Sequence, residues 1–275
     1  MVETGDFTPL LHELAESAES AILPHVLAFQ RAVGTLSNKD QSGGFDPVTE
    51  ADRAAERAIR HLLLLKRPED AVTGEEFGAK QGTSDIEWVI DPIDGTRAFI
   101  AGLTTWGTII GAVSDGDAIA GLFCQALTRE RFWGENREAW YTGPRTNGGA
   151  ALKLSTSPVD DLASATLMTT SPRMFSSVAK ARYDAVEARV RLARYGADGY
   201  AYCLLAAGQI DLVIEDDLKP YDIAGLIPII EGAGGVVTDW AGERVPIDGG
   251  DVIAAANPVL HREAVLILNG RNSPA

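Results

Sequence analysis

Two cysteines, Cys124 and Cys203, are the only thiols in 275 residues, and both stand in apolar context. They fit structural thiols of a reducing compartment better than a disulfide framework. No uninterrupted apolar run approaches the roughly 20 residues a membrane span needs. The opening Met1-Val2-Glu3-Thr4-Gly5-Asp6 is acidic where a signal peptide is basic. A cytoplasmic protein with no membrane partner is expected. Histidine is scarce, and His12, His25, His61 and His261 share no spacing, so zinc chemistry or a Ser-His-Asp mechanism is poorly supported. A basic stripe is missing too. With 24 Lys and Arg against 39 Asp and Glu the net charge is −15 and the pI about 4.7, a field that repels nucleic acid. Any anionic substrate must be met locally, by bound cations or oriented backbone amides.

What is present is an ordinary globular composition, 45 % hydrophobic and 23 % charged, long enough for one large domain or two lobes sharing a cleft. Thr8-Pro9 followed by Leu10, Leu11, Leu14 and Ala18 reads as an N-cap, a first-turn proline and one apolar helix face. Gly34 to Gly44 reads as a surface loop. Thr49 predicts the cap of a second helix, with Asp52 at the capping-box position and Ala55, Ile59, Leu62 and Leu63 on one side. From Asp85 the pattern alternates: Ile86, Trp88 and Ile90 predict a half-buried strand ending at Asp91-Pro92. Extended segments at Trp106–Val113, Ala118–Ala126, Arg131–Gly134 and Ala139–Tyr141 make an antiparallel meander. Beyond Gly143 short strands and helices alternate, including helices over Tyr200–Ala207 and Ile223–Glu231. The expected fold class is α/β, with an α+β unit over 1–144 and an α/β unit over 145–275.

The strongest local signal is Asp91-Pro92-Ile93-Asp94-Gly95-Thr96, a strand ending in two carboxylates three residues apart, then a glycine and a hydroxyl. Carboxylate and carbonyl oxygens suit magnesium, which is usually completed by water and substrate phosphate. Gly95 lets backbone amides approach an anion, and a helix starting at Thr96 would present its positive end. Asp-Gly alone is more often a capped turn. Two further acid groups, Gly74-Glu75-Glu76 at the end of a strand and Asp222 at the start of a helix, shift the balance, although an acid there is commonly a cap.

Taken together, Asp46-Pro47-Val48-Thr49-Glu50-Ala51-Asp52, Gly74-Glu75-Glu76, the hexapeptide, and Tyr221-Asp222 with Gly232-Ala233-Gly234-Gly235 resemble the inositol monophosphatase-like family of metal-dependent phosphatases. The resemblance covers nearly the whole chain in the family's order. It implies a five-layer α-β-α-β-α sandwich, usually a homodimer, holding two or three Mg2+ ions per site. It implies metal ligation by Glu75, Asp91, Asp94, Asp222 and the Ile93 carbonyl. It implies that Asp46 and Thr96 orient and deprotonate the attacking water, with Glu75 also counted as catalytic. Gly95 and Thr96 amides hold phosphate, with Asp94 and Arg97 also touching substrate. Within the family, Asp94-Gly95-Thr96-Arg97-Ala98-Phe99-Ile100, Trp106-Gly107-Thr108 and Leu218-Lys219-Pro220-Tyr221-Asp222 are similar to the bacterial histidinol-phosphate phosphatases. That implies hydrolysis of L-histidinol phosphate, a small phosphorylated metabolite of histidine biosynthesis. Glu215 and Asp198 are the acids expected at the leaving group. The other reading makes Asp198 a cap of helix 200–207 and Glu215 a surface acid. Inositol-1-phosphate or another small sugar phosphate is the alternative substrate, and a non-catalytic metal-binding regulator the alternative of another class.

Overall fold

A computed structural model of the chain describes residues 6–27, 37–38, 47–146, 149–246 and 248–271. Helix α1 (Thr8–Leu27) buries Leu11, Leu14, Ala18 and Ile22 on one side. Its start is not capped by Thr8. The carboxylate of Glu135 reaches across from another element, accepting from the Phe7 and Thr8 amides at 2.9 and 3.0 Å and from the Thr8 hydroxyl at 2.7 Å. An acid at the helix N-terminus meets the positive dipole end as well as the orphan amides. Of the Gly34–Gly44 stretch only β1 (Ser37–Asn38) is described, paired with β2 (Pro47–Val48); the rest of that expected loop lies outside the described residues. Helix α2 (Glu50–Lys66) begins with the expected capping box, Ala51 N–H to Thr49 Oγ1 and Thr49 N–H to the Asp52 carboxylate. Ala55, Ile59 and Leu63 face its neighbours.

An eight-stranded sheet comes next, formed by β3 (Ala71–Gly74), β4 (Gly78–Lys80), β5 (Ile86–Asp94), β6 (Gly107–Ser114), β7 (Asp117–Gln125), β8 (Glu130–Glu135), β9 (Glu138–Thr142) and β10 (Leu152–Lys153). Its spatial order is β10-β9-β8-β7-β6-β5-β3-β4, antiparallel except for the parallel β3–β5 pair. Two details differ from the sequence pattern. β5 is covered on both faces rather than one, because Trp88 and Ile90 pack under α1 and α2 while Val89 meets Ala224 on the other side. It also continues past Pro92, with a register shift between Asp91 and Asp94 against β6. Proline is tolerated at such an irregularity because its missing N–H costs no ladder bond. The Pro92 carbonyl is taken instead by the Thr108 hydroxyl at 2.8 Å.

The second sheet runs β12-β11-β13-β15-β14 through β11 (Thr166–Thr169), β12 (Leu192–Tyr195), β13 (Leu212–Leu218), β14 (Val236–Thr238) and β15 (Gly250–Ala255). Helices α5 (Gly199–Ala206), α6 (Pro220–Ile223) and α7 (Ile227–Gly232) belong to the layer between the two sheets, where Phe123, Phe132, Leu205, Leu226, Ile229 and Val213 form one core. Helices α4 (Ser177–Glu187) and α8 (Pro258–Leu268) cover the far face through Tyr183, Leu212, Ile253 and Leu260. With α1 and α2 outside the large sheet, the layers are α-β-α-β-α. Between them α3 (Thr96–Ala101) follows β5 directly.

The expected helix over Ile223–Glu231 is instead two short helices with a break at Ala224–Leu226. Pro228 sits in the first turn of α7 and cannot continue a helix from upstream. The break also lets the chain lie almost backbone on backbone against the large sheet. A Cβ added to Gly121 would fall on the Gly225 carbonyl. Gly121→Ala is therefore expected to destabilise by about 1–3 kcal/mol, the cost of an added methylene in a packed core. A urea midpoint unchanged from wild type would show that α6 and α7 can move off the sheet.

Candidate active site

Strand β5 delivers Asp91 and Asp94 on either side of its irregularity against β6, and α6 brings Asp222 from the middle layer. Carboxylate oxygens of these three residues lie within 4.8 Å of one another. Two oxygens on opposite sides of a magnesium ion sit about 4 Å apart, so the triad matches the span of one coordination sphere. Asp91 is 3 % exposed, and its Oδ1 has no hydrogen-bond partner among the described residues. Asp94 accepts from the Gly199 amide at 2.6 Å and Asp222 from the Lys219 amide at 2.7 Å. Glu75 lies at the tip of the β3–β4 hairpin. It lines the same cleft, outside the tight triad, and its charge is one of those that bear on Asp91.

Electrostatics leave this arrangement little choice. At an effective dielectric of 20, two carboxylates 4.8 Å apart repel by about 3 kcal/mol. Burial, then the neighbouring acids Glu75, Asp94 and Asp222, hold the Asp91 carboxyl well above the usual carboxylate range. Asp94 is raised in the same way by burial, then Asp198 and Asp222. Burial lifts Asp222 to about 7. The acids must carry protons or share a cation, and an orphaned buried oxygen with hard oxygen neighbours fits a divalent cation. The residues present therefore fit the metal that the sequence implies.

Gly95 sits at φ +79, left-handed, and opens α3. Only glycine takes that turn without strain, and a Cβ there would lie 3.0 Å from Asp198 Oδ2. The Phe99 amide bonds the Gly95 carbonyl at 3.0 Å, so the turn feeds straight into the helix. The Thr96 hydroxyl donates to the Ile93 carbonyl at 3.1 Å. Arg97 is exposed, with Nη1 3.5 Å from the Met174 sulfur across the cleft.

Asp198 stands at the N-cap position of α5 but makes no side-chain cap bond there. It follows Ala197 at φ +102 and is itself at φ +47, two non-glycine residues held in a costly backbone region. Strain of this kind, about 1–3 kcal/mol per residue, clusters at functional sites. Its carboxyl hangs over Gly95, and burial, opposed by Arg97, raises it to about 6. Glu215 is not a surface acid. It is 6 % exposed on β13, accepting from the Thr169 hydroxyl at 3.0 Å and the Thr170 amide at 2.5 Å. Burial raises it to about 7.

These residues line a cleft of about 220 Å³. A larger recess, about 390 Å³, lies between Val89, Val113, Ile227 and Val245; it lacks the triad, and converging acids identify the site better than volume. The structure thus brings together Glu75, Asp91, Ile93, Asp94, Gly95, Thr96, Arg97, Asp198, Glu215 and Asp222. Asp46 lies outside the described residues. The four histidines stay away from this cleft: His12 meets Arg131 and Trp133, and His261 bonds Thr238. Two contributors escaped the sequence reading. Tyr202 lines the cleft with a buried hydroxyl, and nothing in its helix pattern separates it from a core aromatic. Glu56 supports the Glu75 hairpin from α2, and its signal was an acid standing on an apolar stripe at i+4 from Asp52.

Similarity to known proteins follows the same frame. The chain is 38 % identical to the bifunctional phosphatase IMPL2, chloroplastic, of Arabidopsis thaliana over 273 residues, covering 96 % of this chain and 75 % of that one. It is 32 % identical to a histidinol-phosphatase of Mycobacterium tuberculosis, covering 84 % and 87 %. A solved inositol monophosphatase from Zymomonas mobilis superposes with a TM-score of 0.81 at 35 % identity, covering 96 % and 99 %. The model of the inositol monophosphatase family matches from residue 8 to residue 270, leaving almost none of the folded chain outside it, and the chain belongs to that family.

Proposed function

We propose that this phosphatase hydrolyses L-histidinol phosphate to L-histidinol and phosphate, with Mg2+ held by Glu75, Asp91, Asp94, Asp222 and the Ile93 carbonyl. The observation that carries the substrate choice is a pair of acids, half-buried Asp198 and buried Glu215, in the same cleft as the triad. Histidinol bears an ammonium group and a titratable imidazole, which carboxylates bind better than a neutral polyol. Glu215 keeps acceptor capacity beyond its two threonine bonds, since a carboxylate offers about four lone-pair sites.

Bound in the triad, divalent cations supply charge neutralisation for the phosphoryl oxygens and acidify water. The protein's own part is placement. The Gly95 turn and the first amides of α3, which lack intrahelical partners, suit one phosphate oxygen. With its proton committed to Ile93 O, the Thr96 oxygen is left as an acceptor that can orient a water O–H. Asp46 is proposed as the group that takes the proton from that water. Asp198 and Glu215 hold the leaving alcohol through its cationic substituent. A homodimer with two or three ions per site belongs to the same reading. Inositol-1-phosphate is the second reading, favoured by the close superposition on an inositol monophosphatase.

Phosphate release from histidinol phosphate, inositol-1-phosphate and adenosine 3′,5′-bisphosphate, each with magnesium and with chelator, separates the readings. Histidinol phosphate is expected to lead by more than tenfold in kcat/KM, about 1.4 kcal/mol. Glu215→Gln is expected to narrow that lead while slowing the neutral esters little; equal losses on all three would refute the pocket. Asp94→Asn should lose at least about 100-fold in kcat, the scale for removing one electrostatic stabiliser, with an unchanged circular-dichroism spectrum.

Stability without metal has a predictable slope. Asp222 and Glu215 are raised to about 7 in the fold, well above unfolded carboxylates near 4. The folded state therefore holds protons that the unfolded state has lost. Their contribution to metal-free stability is fully present below about pH 4 and is lost as the pH rises to about 7. In chelator the melting temperature should fall from pH 5.5 to 7.5, and Glu215→Gln should flatten the fall. Because Mg2+ displaces those protons, calorimetry at pH 6.5 in buffers of different ionisation enthalpy should show proton release.

A further inference from the structure

We propose that Glu56, gripped by Arg60, is a positioning residue that fixes Glu75 at the metal site. Glu75 sits on a three-residue turn between β3 and β4, closed by Gly78 at φ +65, the hairpin form that ends in a left-handed glycine. β4 is the last strand of its sheet among the described residues, with no strand of theirs pairing on the hairpin's outer side. A glutamate on such a tip, next to Asp91, Asp94 and Asp222, is pushed outward by like charge. A contact that holds the turn in works against that push.

The Glu56 carboxylate does so from α2. It accepts from the Glu76 amide at 2.7 Å and the Phe77 amide at 3.3 Å, the two residues that complete the turn after Glu75. Arg60, one helical turn on, donates from Nε to Glu56 at 2.7 Å and from Nη2 to the Gly78 carbonyl. One ion pair thus grips both backbone senses of the turn. The Glu56 side chain is wholly buried. Its close seat is possible because residue 74 has no side chain: a Cβ on Gly74 would fall on the Glu56 carboxylate. A buried charge satisfied by two amides and a guanidinium is rigid, and breaking one partner is costly. Outer-shell partners that orient a ligand typically govern 10- to 100-fold in metal affinity.

The inference rests on the divalent-metal reading of the cleft, and Mn2+ binding to the full chain without substrate, followed by electron paramagnetic resonance titration, separates the two. Glu56→Gln keeps the shape but only one acceptor oxygen, and is expected to weaken Mn2+ binding at least tenfold, with kcat recovering to within threefold at saturating metal. Asp70→Asn serves as comparator. Asp70 is a comparably buried acid, paired with Arg67 and bonded to Trp88 and Ser84, its side chain not reaching the hairpin turn, and the variant's Mn2+ affinity should stay within twofold of wild type. Affinity unchanged in Glu56→Gln, an equal loss in both variants, or a loss of kcat that metal cannot restore would each overturn the positioning role. If Glu56→Gln does not fold, Arg60→Lys, which replaces the rigid two-armed fork with a single ammonium on a flexible stem, should weaken binding about threefold, and an unchanged affinity would overturn the proposal. A wild-type chain that binds no Mn2+ removes the metal reading itself.

Discussion

The repulsion among buried carboxylates is the constraint on which the rest of this structure turns. Three acids with oxygens inside 4.8 Å would, if all were ionised with no cation between them, make three repulsive pairs of about 3 kcal/mol each at an effective dielectric of 20, a sum comparable to the 5–15 kcal/mol that holds a typical domain together. No flexible scaffold keeps such groups converged. Each is carried by a piece that cannot easily give way: Asp91 and Asp94 by the strand covered on both faces, Asp222 by a short helix between two sheets. The backbone contact of Gly225 on the large sheet, three residues after Asp222, is part of the same stiffness.

That constraint also accounts for the irregularities of the fold. A regular β5 would point Asp91 and Asp94 to opposite faces, because side chains alternate along a strand. The register shift around Pro92 breaks the alternation and turns both acids into one cleft. Likewise a continuous helix over 223–231 would hold its own axis instead of following the sheet, and the break before Pro228 sets the direction of α6. The strained Ala197 and Asp198 do the equivalent from the second sheet's side, leaning a carboxyl over the Gly95 turn.

How far the sequence made this legible depends on the range of the interaction. The capping box of Thr49 and Asp52, the turn at Gly95 and the helix after it are local, and a few adjacent residues specify them. The five-layer frame was readable through resemblance, since alternation of short strands and helices does not say which faces meet. The double burial of β5 was hidden because Ile86, Trp88 and Ile90 alternate with Glu87 and Val89, and only the arrival of Ala224 from over 100 residues away covers the second side. The capture of the α1 terminus by Glu135 is equally remote. Glu56 was readable in principle: an acid on a buried helix face, with Arg60 at i+4, has to be satisfied by something. What satisfies it, the turn carrying Glu75, becomes visible only in three dimensions.

The cleft is asymmetric in a way that bears on selectivity. At one end the triad lies beside the Gly95 turn and the first amides of α3, so a cation there faces donors suited to phosphate. At the other, Asp198 and Glu215 add negative charge where an ester's alcohol would sit on the proposed reading, with Arg97 the nearest counterweight to Asp198. In a chain of net charge −15, that end gains nothing from a further neutral hydroxyl, which it would have to desolvate acids to accept. An ammonium group, by contrast, would relieve both acids, each of which burial holds toward its protonated form. On the proposed reading, the same imbalance that calls for a bound metal at one end of the cleft calls for a cation carried by the substrate at the other.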